Sequence, residues 1–560
     1  MNRRIWKVCD VNPRLQQVLS SELGISAIFA QLLVNRGIRT PEQAQMFLFG
    51  DISSCADSFL MKDMRRAVKR IKKAVEMKEN ILIYGDYDVD GITSTALLSE
   101  IFRYMGAKYE TFIPNRLEEG YGLDVNAVKQ FSAKGVNLII TVDCGINSAQ
   151  EISCANDFGI DVIVTDHHEV RGKRPEAYAM INPHQSDCSY PFEQLAGVGV
   201  VYKLALALME GKEDAVNKHL DLVVLGTIAD IVPLTGENRI LAKNGLKCLR
   251  LTQKPGLRAL MDVAGVDAEK LNFRHIGFAL APRINAMGRI GSAETALELL
   301  MCKDPERASH LAKILDTQNK NRQNIEKKVL EHALEKTRKD LNLENEKIIV
   351  LADENWHVGV IGIVASRLTE EYKRPAILIS LDGDKGKGSG RGVKGFNLFE
   401  AINRAGSHLI TFGGHKAACG IRIERDKVDL FRQSLNSAEY FEQDGIIPEL
   451  TVDFNVPFSY VGPKLINELE SLMPYGPGNS EPVFSTNGII VKNTPRSLGK
   501  SGYKFLTKCG NLTYEAITFK KSEFLRPKAG DTINLAYTPS INSWGGYDSI
   551  QLNIRDLQVC

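Results

Sequence analysis

The sequence predicts an α/β protein built on a parallel sheet, followed by a second α/β unit and a small C-terminal β-barrel. Three observations carry this. Between about 80 and 185, short apolar, β-branched runs alternate with helix-like ones, the pattern of a doubly wound parallel sheet. Three of those runs stop at acids or histidines: ILIYG before Asp86, Asp88 and Asp90, NLIITV before Asp143, and VIVT before Asp166, His167 and His168. From about 446 the pattern becomes short strands separated by turn residues, as in a small barrel.

In order along the chain, residues 1–60 read as a small helical lead-in, where AIFAQLLVNRG and TPEQAQMFLFG carry apolar residues at helical spacing. Thr40 and Pro41 supply a cap and first turn. A domain over 61–310 follows. It opens on MRRAVKRIKKAVEMK, a helix with a strongly basic face that is read as solvated rather than as a nucleic-acid contact. The sheet-forming alternation comes next, closed by the helices VGVVYKLALALMEG and HLDLVVLGTIADIVPL.

Residues 311–342 have helical periodicity but are rich in charge, which predicts a connecting helix. Over 343–445, KIIVLADENW and PAILIS read as strands flanking the helix VGVIGIVASRLTEEY, and a glycine-rich turn follows. The barrel occupies 446–560. From 491 onward ten Lys and Arg face five acids, with Tyr503, Phe505, Trp544 and Tyr547 interleaved. Such a surface could hold a single strand through phosphate contacts and base stacking, although aromatics in a strand are more often core.

The 560 residues suffice for roughly three or four domains. With 70 Lys+Arg against 68 Asp+Glu, a uniformly basic coat is excluded, so any polyanion site is local. Ten scattered cysteines without a C-x-x-C pair argue against a zinc ribbon or a disulfide framework and for a reducing compartment. The basic start lacks an apolar signal core, and no run approaches the length of a membrane span. The expectation is a soluble, cytoplasmic protein with no membrane partner.

Ligands of open α/β sheets bind beyond the carboxyl ends of the strands, so the three acidic strand ends would surround one crevice. Carboxylates with imidazoles suit manganese or magnesium. In an extended loop the alternate Asp86, Asp88 and Asp90 would point the same way and repel unless cations neutralise them. Asp143 is the natural bridge of a two-metal centre, with His167 as a ligand and His168 facing the substrate. Asp230, in the apolar GTIADIVPL, needs a partner because a buried lone charge is costly. Each acid alone also fits an ordinary cap or turn, and the conjunction is what favours a metal.

A second set of residues suits phosphate. DGDKGKGSGRGVKG offers open backbone N–H groups with Lys385, Lys387, Arg391 and Lys394, although a flexible hairpin turn explains it equally. In FGGHKAACG, Gly413 and Gly414 permit close approach, and His415 serves either a phosphate oxygen or a helix cap.

In order and spacing, DYDVDG, TVDCG, TDHH and GTIADIVPL resemble the four motifs of the DHH phosphoesterase superfamily, named for the triplet found here as Asp166-His167-His168. APRINAMGRIG, GIVASRL and GSGRG are further matches, and FGGHKAACG is similar to the GGH motif of the accessory domain. The resemblance implies a DHH domain, a DHHA1-type domain and an OB-like barrel. It implies that Asp88, Asp90, Asp143, His167 and Asp230 hold two manganese or magnesium ions, with Asp86 and His168 completing the site. It also implies that Arg283 and Asn285 contact DNA and that Ser389, Arg391, Gly414 and His415 hold a terminal phosphate.

The full layout is similar to the superfamily's single-strand-specific 5′-to-3′ DNA exonucleases of recombination and repair. A single-strand-binding protein and a RecQ-type helicase are candidate partners, and a monomer is the expected state, although the residues themselves do not fix it. Two positions depart from the pattern: Tyr84 stands where related pyrophosphatases carry a histidine, and Gly392 where a serine is common. An oligoribonuclease, a cyclic-dinucleotide phosphodiesterase or a pyrophosphatase is disfavoured by the barrel, since a small substrate needs no platform for a long strand. A catalytically dead DNA-binding scaffold is disfavoured by the intact acids.

Overall fold

The computed structural model describes residues 4–115, 122–343, 345–437, 449–499, 502–519, 526–544 and 547–560. They form two compact units. One comprises Asp57–Asp230 and Gly245–Gly445, the other Met1–Ala56, Ile231–Asn244 and Ile446–Cys560.

The first unit holds a five-stranded sheet in the order Tyr109–Phe112, Ile81–Tyr84, Leu138–Val142, Asp161–Thr165, Ala179–Ile181. All its pairings are parallel. Leu82, Tyr84, Ile139, Val162 and Val164 pack against the helices Val125–Ala133 and Ala149–Asp157 on one face. The helices Val89–Met105 and Gly197–Leu208 lie on the other. Cover on both faces is why these strands read as unbroken apolar runs. Each fully buried Leu, Ile or Val contributes about 1.5–3 kcal/mol, so the strands form a rigid frame from whose ends the polar residues project.

The basic helix, Met64–Glu76, exposes Arg65, Arg66, Lys69, Lys72 and Lys73 as expected. Arg70 is the exception: it is buried and pairs with Glu79 and Asp161, each at 2.6 Å. The connecting helix runs over Pro305–Asp340, starting six residues before the expected 311, because Asp304 caps it and Pro305 occupies its first turn.

A second sheet in this unit has the order Leu409–His415, Ala418–Glu424, Lys385–Arg391, Ala376–Asp382, Ile349–Asp353, and only its last pair is parallel. The stretch expected as a glycine-rich turn is therefore its central strand. The reason is steric. A Cβ at Gly386 would lie 2.7 Å from Ile379, at Gly388 2.6 Å from Ile421, and at Gly390 3.0 Å from Leu398. Glycine at every second position lets bulky neighbours close over that face.

In the other unit, the strands Phe484–Val491, Thr532–Trp544, Tyr547–Val559, Leu512–Thr518 and Gly502–Cys509 form a barrel, closed because the first also pairs with the last. Tyr503 and Phe505 are buried in its core with their rings 6.0 Å apart, so of the two readings of these aromatics core packing holds and base stacking is not available to them. The side chains of Trp544 and Tyr547 lie outside the described residues. The lead-in begins with a strand, Ile5–Val8, that pairs in parallel with Glu449–Val452. Its helices Pro13–Leu23, Ala27–Asn35 and Pro41–Phe49 supply Leu19, Phe29, Leu33 and Leu48 to the barrel's apolar core.

Candidate metal centre

Asp88 caps the helix Val89–Met105, its Oδ1 accepting from Asp90 N at 2.9 Å and Gly91 N at 3.2 Å. DYDVDG is thus no extended loop. The cap bends the chain into a helix, and Asp90 falls in the first turn. There it is buried, its oxygens accepting from Gly197 N at 2.7 Å and Val198 N at 2.9 Å. Asp143 leaves its strand with φ of 63°, a left-handed conformation that aspartate tolerates better than most residues. Asp230 caps the carboxyl end of Leu220–Ala229.

These elements converge on His167. Its Nε2 lies 3.2 Å from Asp143 Oδ1, 3.5 Å from Asp230 Oδ2 and 3.9 Å from Asp90 Oδ2. One donor atom from each of Asp90, His167 and Asp230 falls within 4.8 Å of the others. The same is true of Asp86, Asp88 and Asp143, and of Asp143, His167 and His168. Asp143 therefore belongs to both sides of the cluster. The adjoining cavity, about 260 Å³, is lined by Asp86, Asp88, Asp90, Asp230, Asn285 and Arg289 among others.

The donor set fits divalent cations. Burial first, then the charge of Asp88, pushes the Asp90 carboxyl up to about 7. Burial and then Asp90 raise Asp143 and Asp230 well above the usual carboxylate range. Burial, followed by the His168 charge, holds His167 down to about 4, so its ring is neutral. The ring bonds to the Leu195 backbone while the buried Nε2 has no hydrogen-bond partner, which leaves that lone pair aimed among the acids.

Mutually repelling carboxylates with a neutral imidazole are what a cation binds and what protons otherwise occupy. Manganese binding at pH 7 is accordingly expected to release protons. Isothermal titration in two buffers of different ionisation enthalpy measures this. The sign for stability follows: carboxyls whose folded pKa is raised bind more protons folded than unfolded. The metal-free protein should lose stability as pH rises from about 4 through about 7, and manganese should restore it.

Asp166 works differently from the other acids. Its oxygens accept from Ile146 N at 2.9 Å and from His167 N and His168 N at 2.7 and 3.1 Å, and bond His168 Nδ1 at 2.7 Å. Burial would raise its carboxyl, but His168 holds it down to about 2. Burial would likewise lower His168, but Asp166 raises it to about 9, so the half-exposed imidazole carries a proton at neutral pH.

Of the residues tied to DNA by resemblance, Asn285 lines the cavity, its Oδ1 accepting from Val89 N at 3.2 Å. Arg283 does not line it. Its guanidinium bonds Asp316 at 2.8 Å and Ala279 O at 2.7 Å. Arg289, not singled out in the sequence, lines the cavity instead. Tyr84 is buried with its hydroxyl donating to Gly122 O at 3.0 Å, which makes it part of the sheet's packing.

A second cavity of about 300 Å³ includes Gly362, Lys387, Ser389, Gly413 and Arg422 in its lining. Arg391 donates to Ser389 Oγ at 3.0 Å, and a Cβ at Gly362 would lie 2.9 Å from that oxygen and 3.0 Å from Arg391 Nη2. Gly414 has φ of 144° and its carbonyl accepts from Arg171 at 2.9 Å. His415 Nδ1 accepts from Ala417 N at 3.3 Å, so it bridges a hairpin turn rather than capping a helix. A Cβ at Gly392 would lie 3.1 Å from Lys416 O, a close approach that a small side chain would make only if the hairpin shifted by a few tenths of an ångström.

Comparison with known proteins agrees with this architecture. Residues 80–227 match the DHH family, N-terminal domain, and residues 345–439 match the DHHA1 domain, so sheet, acids and accessory sheet together define a DHH-type phosphoesterase. Residues 452–556 match the RecJ OB domain. The chain is 38% identical to the single-stranded-DNA-specific exonuclease RecJ of Bacillus subtilis, covering 99% of this chain and 71% of that one. With the Escherichia coli RecJ the identity is 34% over 95% of each chain. The crystal structure of Thermus thermophilus RecJ with Mn2+ superposes with a TM-score of 0.86 at 29% identity, over 99% of this chain and 79% of that one. The chain belongs to the RecJ family.

Proposed function

We propose that this chain is a metal-dependent exonuclease that removes nucleotides from the 5′ end of single-stranded DNA, acting in recombination and repair. The observation that carries the reading is the buried cluster of Asp90, Asp143, Asp230 and a neutral His167, which are kept together against their own repulsion at one cavity. The full-length likeness to relatives named as single-stranded-DNA-specific exonucleases, and to one crystallised with Mn2+ or Mg2+, supports the substrate and the cofactor.

Asp86, Asp88, Asp90, Asp143, His167 and Asp230 would hold two manganese or magnesium ions. When bound, such ions make water a stronger nucleophile at neutral pH and stabilise charge on the phosphoryl oxygens. The protein supplies the rest. Asp88 as cap and the Gly197 and Val198 amides fix the acids in place. Arg289 brings a fork-shaped donor to the phosphate in the same cavity. His168, protonated against Asp166, is a general acid for the leaving 3′ oxygen.

Ser389 and Arg391 would receive the 5′ phosphate and set the register that makes the enzyme an exonuclease, with Gly414 and His415 shaping the hairpin beside them. The barrel's exposed Lys492, Arg496, Lys508, Arg526 and Lys528 would grip the trailing strand. A single-strand-binding protein and a RecQ-type helicase fit as partners that present such strands. The protein would act as a cytoplasmic monomer. Among the described residues no single helix is long and apolar enough to cross a membrane.

A charged hydrogen bond to phosphate is worth about 1.5–3 kcal/mol, or roughly 10- to 100-fold. Arg391→Ala is therefore expected to slow digestion of 5′-phosphorylated single strands by that factor and of 5′-hydroxyl strands much less, read from initial rates on the two substrates. An equal loss on both would count against a 5′-phosphate subsite at Arg391.

A further inference from the structure

The helix that carries Asn285 and Arg289 is not α-helical throughout, although a short α-helical segment, Phe273–His275, opens the run. Its approach, Ile276–Leu280, is a five-residue π-helical turn that runs directly into Ala281–Ile290. Such turns are rare and concentrate at functional sites. This one packs beside the helix that ends in Asp230: a Cβ at Gly277 would lie 3.7 Å from Ile228. In its middle stands Phe278, whose side chain is 82% exposed. Among the described residues the ring is left open, although Ile276 and Leu280 on either side are fully buried.

The turn is also held from outside. Arg283 Nη1 donates to Ala279 O at 2.7 Å, and the same guanidinium pairs with Asp316 on the long helix, which Lys320 joins at 2.7 Å. The arginine expected to touch DNA thus anchors the carbonyl next to Phe278. At helical spacing, Phe278, Pro282, Asn285 and Arg289 fall along one stripe that is half-buried or exposed, while Leu280, Ala281, Ile284 and Met287 turn inward. Phe278 sits roughly 10 Å along the axis from Asn285, a distance that one or two nucleotides of an extended strand would span.

We propose that Phe278 is a base-stacking platform for the single-stranded DNA next to the metal cavity. A flat ring held on a braced turn, at the end of a polar stripe leading to the acids, matches the chemistry of a nucleobase: an apolar face, with no demand for a particular base. The subsite rests on the exonuclease reading above. It adds to that reading a reason why an unstacked base would be favoured near the cleft, since the bases of a duplex already stack on one another.

The test compares the unaltered protein with Phe278→Ala, Phe278→Leu and Phe278→Trp, on single strands of normal bases and on strands of the same length with abasic sites over the first nucleotides. Because the ring is exposed, each variant should melt near the unaltered protein. On normal DNA, alanine and leucine are expected to raise KM about tenfold with the loss falling on KM rather than kcat, and tryptophan to restore it. On the abasic strand the difference between the variants and the unaltered protein should vanish. Equal KM for alanine and the unaltered protein on normal DNA would overturn the platform, as would a penalty that persists on the abasic strand or is rescued by leucine. Failure of the unaltered protein to digest any single strand would instead overturn the exonuclease reading, and the platform with it.

Discussion

Asp143→Asn is expected to lower kcat by about a thousandfold or more while raising the melting temperature of the metal-free protein. The two effects share one cause. Asp143 is buried among Asp86, Asp88, Asp90 and Asp230, and its charged form is disfavoured by burial and by those neighbours. Removing the charge relieves repulsion, worth roughly 1–3 kcal/mol without metal. It also removes the carboxylate shared by both sides of the donor cluster. Asparagine is the informative choice because it keeps the shape and tolerates the φ of 63°, whereas alanine would add backbone strain. Thermal melting with and without manganese, beside single-turnover cleavage, checks both halves. An active variant would mean that Asp143 holds no cation.

Gly197→Ala is expected to be almost as damaging, by about a hundredfold in kcat/KM with weaker manganese binding. A Cβ there would overlap Asp143 Oδ1, while the amide of the same residue donates to Asp90 Oδ2 at 2.7 Å. Asp143 has little room to withdraw, since its own amide is bonded to Thr165 O at 2.9 Å. The neighbouring Gly199→Ala is the control: its Cβ would meet only the Leu195 side chain, at 3.2 Å or more. Manganese titration of the two variants, with melting curves to show that each folds, should separate them by at least tenfold in affinity. Equal affinities would mean that the glycine matters only for packing.

The frame of the catalytic unit was legible because its signals are local. A β-branched run that stops at an acid identifies a buried strand and its polar end within ten residues, and three such runs in order converge at one crevice. What stayed hidden depended on distant or periodic relations. Asp166 receives no role of its own in the triplet, and only the fold shows it bonded to Ile146 N and holding His168. Gly197 lies in an apolar GVGV run, and only the fold brings it against Asp90 and Asp143.

Three placements follow a period that the sequence carries. Given Asn285 at the site, a residue four further along shares its helical face and one two earlier does not, which favours Arg289 over Arg283. Likewise Gly386, Gly388 and Gly390 alternate with the period of a strand, and composition alone suggested a turn. Tyr503 and Phe505 are also two apart and so share a face, which proves to be the barrel's interior. The strand Ile5–Val8 finds its partner at Glu449–Val452, a pairing too remote in the chain for any local pattern to announce.

The most direct test of the central claim is manganese-dependent digestion of single-stranded DNA labelled at either end, run beside duplex DNA, short RNA and pyrophosphate, with Asp143→Asn as control. Stepwise loss of nucleotides from the 5′ end of single strands, absent without manganese and absent in the variant, is the predicted result. Strand binding without cleavage, digestion from the 3′ end, or a preference for duplex, short RNA or pyrophosphate would contradict it.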